Sequence, residues 1–131
     1  MLLQEIYRDD PWKMLIGCIL LNLTHRRQAQ PVAERLFEKY SNPLSMAGAD
    51  YDELGEIIRS LGLWRRRTKT LIEFSLDWYF RDSYKPSEVE VKKMHGIGKY
   101  AADSYRIFQL GDRTRCESGD SVLLWYLKEV A

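Results

Sequence analysis

Residues 92–108 read KKMHGIGKYAADSYRIF, two glycines around an isoleucine between a charged stretch and an amphipathic one. Upstream, Pro86 and Ser87, with Glu90 three residues after the serine, predict a capped helix near 88–94. Downstream, helical apolar spacing resumes and runs through Leu110, with Gly111 as its stop. Helix, Gly–hydrophobic–Gly, helix is a helix–hairpin–helix pattern, here over 88–110. Glycine permits positive φ in the turn and removes the Cβ atoms that would hold another backbone at a distance. The next helix start aims unpaired N–H groups and a positive dipole end at the same spot, with Lys99 beside it. Gly96, Ile97, Gly98 and Lys99 therefore suit nucleic-acid phosphates, which position a duplex without reading its sequence. A plain turn between two helices uses the same glycines, so the hairpin alone leaves both readings open.

The chain on either side has the same helical period. Asp10 caps a helix with Pro11 in its first position, and Trp12, Leu15, Ile16, Ile19, Leu20 and Leu23 follow at helical intervals. Met14, Cys18 and Leu21 make that helix apolar nearly all round, which predicts a path through the core. A second helix carries Ala33, Leu36, Phe37 and Tyr40 and ends before Ser41–Asn42–Pro43. Asp50 and Glu53 predict a capping box for a third, with Leu54, Ile57, Ile58 and Leu61 on its face and Gly62 as a left-handed stop. Residues 64–80 form a fourth, basic at its start and aromatic at its end. After the polar loop DRTRCESG, Asp120 opens a last helix with Leu123, Tyr126, Leu127 and Val130 on one side. No segment alternates with period two, so one all-α domain over 1–131 is expected.

Composition narrows the function. The hydrophobic fraction of 45% and charged fraction of 30% predict a globular domain rather than a disordered chain. No run approaches the roughly 18 apolar residues of a membrane span, so a membrane partner is not expected. Two cysteines, Cys18 and Cys116, make no disulfide framework, and they fall short of the four thiolates an iron–sulfur cluster takes. His25 and His95 lack a helical His partner at metal spacing. The net charge is only +1, yet cations cluster at Arg26–Arg27, at Arg65–Arg66–Arg67 with Lys69, and at Lys92, Lys93 and Lys99. A field is local within about 10 Å at 0.1 M salt, so clusters count for more than the total.

Three stretches in one order give a more specific reading. QEIYRDDPWKMLIGCILLNLT, SLGLWRRRTKT and HGIGKYAADSYRIF together resemble the helix–hairpin–helix DNA glycosylase superfamily along essentially the whole chain. Within it, the likeness is to the thymine/uracil mismatch glycosylase domain of methyl-CpG-binding-domain repair proteins. The resemblance implies a compact helical fold with a DNA-binding cleft. It also implies hydrolysis of the bond between deoxyribose and a thymine or uracil mispaired with guanine. Its partner is then double-stranded DNA holding a mispaired or modified pyrimidine, met by a monomer. No nuclear import signal is evident; the resemblance implies the nucleus in a eukaryote and the nucleoid otherwise.

The same resemblance assigns roles. An essential aspartate stands at the start of the helix after the hairpin, which is Asp120, 22 residues on from Gly98 (98 to 120). Read locally, Asp120 is equally an N-cap. The rival carboxylates, Asp103 inside the hairpin's second helix and Asp112 before the loop, fit the pattern poorly. Bifunctional members carry a Schiff-base lysine two residues after the second glycine; here that residue is Tyr100, and a phenol cannot do this chemistry. Lys99 is adjacent but turned about 100° away on a helix. A monofunctional enzyme leaving an abasic site is therefore expected. Tyr100 and Gln4 are assigned to the base pocket, with a core aromatic and an exposed terminal residue as their ordinary readings. Leu63 corresponds to the wedge that fills the gap left by the extruded base, although it also reads as a helix-end contact. Leu23 matches a second inserting position where mammalian relatives have arginine, and Val122 stands where they have lysine. Arg65 completes the expected DNA contacts. No cofactor is required, and a Na+ or K+ ion on the backbone carbonyls of Lys92, Met94 and Ile97 is the one ion implied. The competing readings are a glycosylase for another pyrimidine such as 5-hydroxymethyluracil, a non-catalytic helix–hairpin–helix DNA-binding module, and a helical protein-interaction domain.

Overall fold

The computed structural model describes residues 1–130, and among them every regular element is helical. The elements are α1 (Leu3–Ile6), α2 (Pro11–Leu21), α3 (Arg26–Lys39), α4 (Pro43–Ala47), α5 (Tyr51–Ile58), a 3₁₀ turn (Arg59–Leu61), α6 (Trp64–Tyr79), α7 (Glu88–Lys92), α8 (Lys99–Phe108) and α9 (Ser121–Val130). None is long and apolar enough to cross a membrane.

α2 is the axis of the molecule. The Asp10 carboxylate accepts the Lys13 N–H at 3.1 Å, and Pro11 takes the first helical position, where its missing N–H costs nothing. Trp12, Met14, Leu15, Ile16, Cys18, Ile19 and Leu20 are all buried, as a helix apolar on every side requires. α1, α3, α6 and α8 pack around it. Trp12 keeps its polar edge satisfied by donating from Nε1 to Ser75 Oγ of α6 at 3.0 Å.

Several local expectations are corrected. α1 and α4 are extra helices of four and five residues; α4 is capped by Asn42, which accepts the Ser45 N–H at 2.9 Å. Asp50 caps α5, but Glu53 does not close the box; its carboxylate meets Lys39 Nζ at 3.3 Å. Gly62 has φ 80° and ψ 165°, outside the left-handed helical well, and Leu63 occupies that well instead (φ 49°, ψ 36°). α7 ends at Lys92 rather than near 94, and α8 ends at Phe108, with Gly111 (φ 72°) in the turn beyond. On α9, Leu123 and Tyr126 are buried while Val130 is exposed.

The hairpin glycines divide their work. Gly96 has φ 80°, and a Cβ on it would stand 2.4 Å from Thr70 Cγ2, so this residue lets the turn dock against α6. Gly98 has an ordinary negative φ and opens onto empty space. Positive φ is therefore needed at one glycine of the pair. His95, beside them, fastens the turn to α6: its backbone N–H and Nδ1 lie 2.8 and 2.7 Å from Asp77 Oδ2, and Nε2 lies 3.2 Å from Glu73 Oε2. The Asp77 hydrogen bond raises the His95 pKa, against a smaller opposing effect of burial. Two carboxylates facing two ring nitrogens suit an imidazolium, which donates from both.

Candidate active site

A cavity of about 580 Å³ opens between α1, the α2–α3 turn, the start of α8 and the start of α9. Its walls include Gln4, Leu23, Arg26, Tyr100, Ser118, Asp120 and Val122. Residues 4, 23, 100 and 120, far apart in the chain, thus meet in one place. No lysine is among the residues that line it.

Asp120 does two jobs. Its Oδ2 accepts the N–H groups of Val122 at 3.1 Å and Leu123 at 3.0 Å, capping α9. Oδ1 accepts no hydrogen bond among the described residues, and the half-buried side chain lines the cavity. The α9 dipole favours negative charge at this end of the helix.

The loop that delivers Asp120 is tied down by the carboxylate that fitted the catalytic pattern poorly. Asp103 is fully buried in α8, where Oδ1 meets Arg106 Nη2 at 2.7 Å and accepts the Glu117 N–H at 3.0 Å. Oδ2 accepts the Ser118 N–H at 2.8 Å. Burial pushes the Asp103 carboxyl up, but hydrogen bonds from Ser118, Arg106 and Glu117 outweigh it and bring the pKa down to about 2. Arg106, itself buried, also reaches Glu88 at 3.2 Å and the Arg115 carbonyl at 2.6 Å. α7, α8 and the loop before α9 share one ionic knot. Asp112, the other rival, caps the exposed turn at Thr114 and lines no part of the cavity.

Gln4 is buried rather than exposed, with 2% of its surface accessible. Its Nε2 donates to Tyr100 Oη at 2.7 Å and to Ser104 Oγ at 3.1 Å. Both amide hydrogens are then committed, leaving Oε1 as an acceptor and the Tyr100 hydroxyl as a donor. Burial first, then the neighbouring Cys18, raises the Tyr100 pKa, so the phenol keeps its proton at neutral pH. Cys18 lies beneath, its thiol pushed up to about 12 by burial and therefore inert. Ser104 was not singled out in the sequence, and Cys18 was read there as a core residue rather than as part of the site. Ser104 was discoverable, because it follows Tyr100 by four residues and shares its helix face.

The two candidate wedges stand out in the backbone. Leu23 (φ 61°) and Leu63 (φ 49°) are the only non-glycine residues with positive φ among those described. They are 85% and 60% exposed. A left-handed residue with a Cβ costs about 1–2 kcal/mol, and neither leucine recovers that by burial. A groove joins them to Asn22, Arg66, Arg67, Thr70 and Gly96 of the hairpin. Leu23 and Asn22 line both this groove and the cavity, so that turn is the ridge between the two.

The basic cluster on α6 separates into distinct roles. The Arg65 guanidinium stacks 4.7 Å from the Trp64 ring centroid and does not line the groove; Arg66 does. Lys69 sits 3.9 Å from Glu73. Arg67 is buried and donates to the carbonyls of Asn22 and Leu61. Lys92 lies 3.6 Å from Glu117, and Lys99 is exposed at the first position of α8. Around the hairpin, the Met94 carbonyl accepts the Ile97 N–H at 3.3 Å. Among the described residues no cluster of three His, Cys, Asp or Glu side chains could hold a metal.

Comparison with known proteins fits this geometry. The family profile described as HhH-GPD superfamily base excision DNA repair protein matches residues 16–107. The methyl-CpG-binding domain protein 4-like protein of Arabidopsis thaliana is 37% identical over 125 residues, which cover 95% of this chain and 27% of that protein. Thymine-DNA glycosylase of Aeropyrum pernix is 34% identical over 104 residues, 78% of this chain and 47% of that one. The chain thus spans about a quarter to a half of the length of these relatives. Among solved structures, a thermostable thymine-DNA glycosylase superposes with a TM-score of 0.72 at 22% identity, over 82% of this chain and 52% of that one. Endonuclease III trapped as a covalent intermediate with DNA gives 0.71 at 23%, over 87% and 58%. The matched segment begins inside α2 at Ile16 and runs through the Gly–Ile–Gly hairpin to Ile107, one residue short of the end of α8. The chain belongs to the HhH-GPD superfamily of base excision DNA repair proteins.

Proposed function

We propose that this chain is a monofunctional, monomeric DNA glycosylase domain that removes thymine or uracil mispaired with guanine and leaves an abasic site. The observation that carries the reading is the convergence of the Asp120 carboxylate, the Gln4 amide and the Tyr100 phenol on one cavity. A pyrimidine edge of thymine or uracil type presents carbonyl acceptors and an N3–H donor. The Tyr100 hydroxyl and Gln4 Oε1 offer the complementary donor and acceptor.

The base leaves the stack at a cost of a few kcal/mol, less for a mispair. As the bond from C1′ to the base nitrogen stretches, its electron pair goes to the base and positive charge grows on the sugar. The free Asp120 oxygen stabilises that charge and takes a proton from the attacking water. The water oxygen bonds to C1′, and the released pyrimidine takes up a proton. Water is the only co-reactant, so no cofactor is required. The absence of lysine from the cavity lining supports hydrolysis over a Schiff-base route. Gly98, open to solvent, the N–H groups at the start of α8, and Lys99 hold a strand phosphate beside the cavity. Leu23 and Leu63 fill the vacated stack; leucine donates no hydrogen bond, so residue 23 leaves the orphan guanine's edge unread. Arg65, solvated beside Trp64, adds charge on the same helix start.

A panel of duplexes with thymine, uracil and 5-hydroxymethyluracil opposite guanine and adenine, scored for free base, tests the assignment. Release from G·T and G·U, with no adduct trapped by borohydride, is expected. Release confined to 5-hydroxymethyluracil shifts the substrate, a trapped adduct defeats the monofunctional assignment, and silence on every duplex leaves a DNA-binding module.

A further inference from the structure

Two exposed leucines held in an unfavourable backbone conformation need something that fixes them there. Leu23 lies between α2 and α3, and Leu63 lies between the 3₁₀ turn and α6. No hydrogen bond or ion pair joins the two leucines directly among the described residues. Arg67 joins the turns that carry them. Its side chain enters the core from the first turn of α6 and is 7% exposed. Nη1 donates to the Leu61 carbonyl at 3.3 Å, two residues before Leu63. Nη2 donates to the Asn22 carbonyl, one residue before Leu23.

Arg67 has no carboxylate partner within ion-pair distance among the described residues, although Arg106, the other deeply buried arginine, has two. A buried guanidinium that spends its donors on main-chain carbonyls is an unusual use of charge. Those carbonyls belong to segments about forty residues apart in the chain, 22 and 61. The guanidinium is planar and rigid, so two carbonyls bound to its two terminal nitrogens are held at a set separation. Lysine, with a single ammonium on a flexible stem, imposes no such spacing.

We propose that Arg67 is a positioning residue that couples the two leucine-bearing turns, so that Leu23 and Leu63 enter a duplex as one unit when a nucleotide is extruded. The proposal rests on the glycosylase reading above and extends it to a residue that touches neither the base nor the cavity. Insertion loads both turns with a reaction force from the DNA stack. Without the shared tie, each turn relaxes out of its left-handed conformation independently, and one leucine yields while the other inserts. A misplacement of about 1 Å costs on the order of a hundredfold in rate where geometry governs the step.

The test is a double-mutant cycle read by the fluorescence of a purine analogue placed beside a uracil opposite guanine, which brightens as its neighbour leaves the stack. It uses the chain with Arg67→Met, Arg67→Lys, Leu23→Ala/Leu63→Ala together, and each arginine variant combined with the double alanine. Single-turnover base release is followed in parallel, and melting temperature monitors the fold. Coupling predicts that Arg67→Met slows extrusion and base release by about a hundredfold, with Arg67→Lys intermediate. It also predicts that neither change slows extrusion further once both leucines are alanine. If Arg67→Met does not fold, Arg67→Lys carries the same cycle. Equal losses in the leucine and alanine backgrounds would mean that the arginine merely stabilises the fold, and the inference is overturned. A wild-type chain that neither extrudes nor releases uracil overturns the glycosylase reading and this inference with it.

Discussion

Replacing Asp103 with asparagine removes one charge from a buried pair without changing its shape. Asp103 and Arg106 are each about 1% exposed, so solvent screens little of their interaction. Leaving a buried charge unpaired costs about 3–5 kcal/mol. Asparagine keeps an acceptor, and Arg106 keeps Glu88 at 3.2 Å, which sets the expectation near the lower end, about 3 kcal/mol. The pH dependence follows from the same site. The folded carboxyl titrates at about 2, against an ordinary value of 3.8. A group depressed on folding stabilises above its unfolded value and loses that stabilisation as pH falls through the folded one. The contribution is about 2 kcal/mol at neutral pH, half gone near pH 3 and absent below about pH 2. Urea unfolding of wild type and Asp103→Asn at about pH 6 and pH 3 reads both quantities. The gap should be about 3 kcal/mol at the higher pH and shrink by about 1 at the lower. Base release should slow as well, because Asp103 holds the loop that delivers Asp120. A gap below about 1 kcal/mol, or one that widens in acid, would refute the knot as the anchor of that loop.

Two other perturbations probe the frame. Gly55→Ala sets a Cβ 2.6 Å from two atoms of the Trp64 ring, and overpacking of this kind costs about 1–3 kcal/mol, so its thermal midpoint should fall; an unchanged midpoint means that α5 and α6 are not in close contact there. His95, facing Asp77, Glu73 and Lys69, has a raised pKa, so its clasp is complete below the ordinary histidine value and is lost as pH rises through the raised one. Wild-type stability relative to His95→Gln should therefore decline as pH climbs above about 6.5, and a difference flat across that window rules out the imidazolium clasp.

Long elements with a cap and a full apolar period were legible in the sequence. α2 announced itself through Asp10, Pro11 and an apolar circumference, and the hairpin through Gly96–Ile97–Gly98 followed by an amphipathic run. α1 was not legible, because four residues hold no period and its stability comes from burying Leu3 against α2. α4 was hidden inside a segment taken as a stop, although Asn42, Pro43 and Ser45 carry a cap signature. At the site, the resemblance assigned Asp120 and Tyr100 by their places relative to the hairpin, where local sequence offered an N-cap and a core aromatic; the structure brings both to one cavity. The burial of Gln4 depends on α1 docking, which no local pattern encodes. Arg67 was indistinguishable from Arg65 and Arg66, since three adjacent arginines differ only in the direction each takes on the helix. Gly62 does use the conformational freedom of glycine, at φ 80° and ψ 165°, but the left-handed helical well falls on Leu63, one residue further than a glycine stop predicts.

The most direct test is single-turnover release of base from G·T and G·U duplexes by the wild-type chain and by Asp120→Asn, with duplex affinity measured alongside. Asparagine caps a helix as well as aspartate does, so α9 and the fold should survive the change. Release should fall by at least about 10²–10³, the usual loss when a charge-stabilising group is removed, while duplex affinity persists. An Asp120→Asn chain that releases base within a few-fold of the wild-type rate would contradict the assignment of this carboxylate to the chemistry.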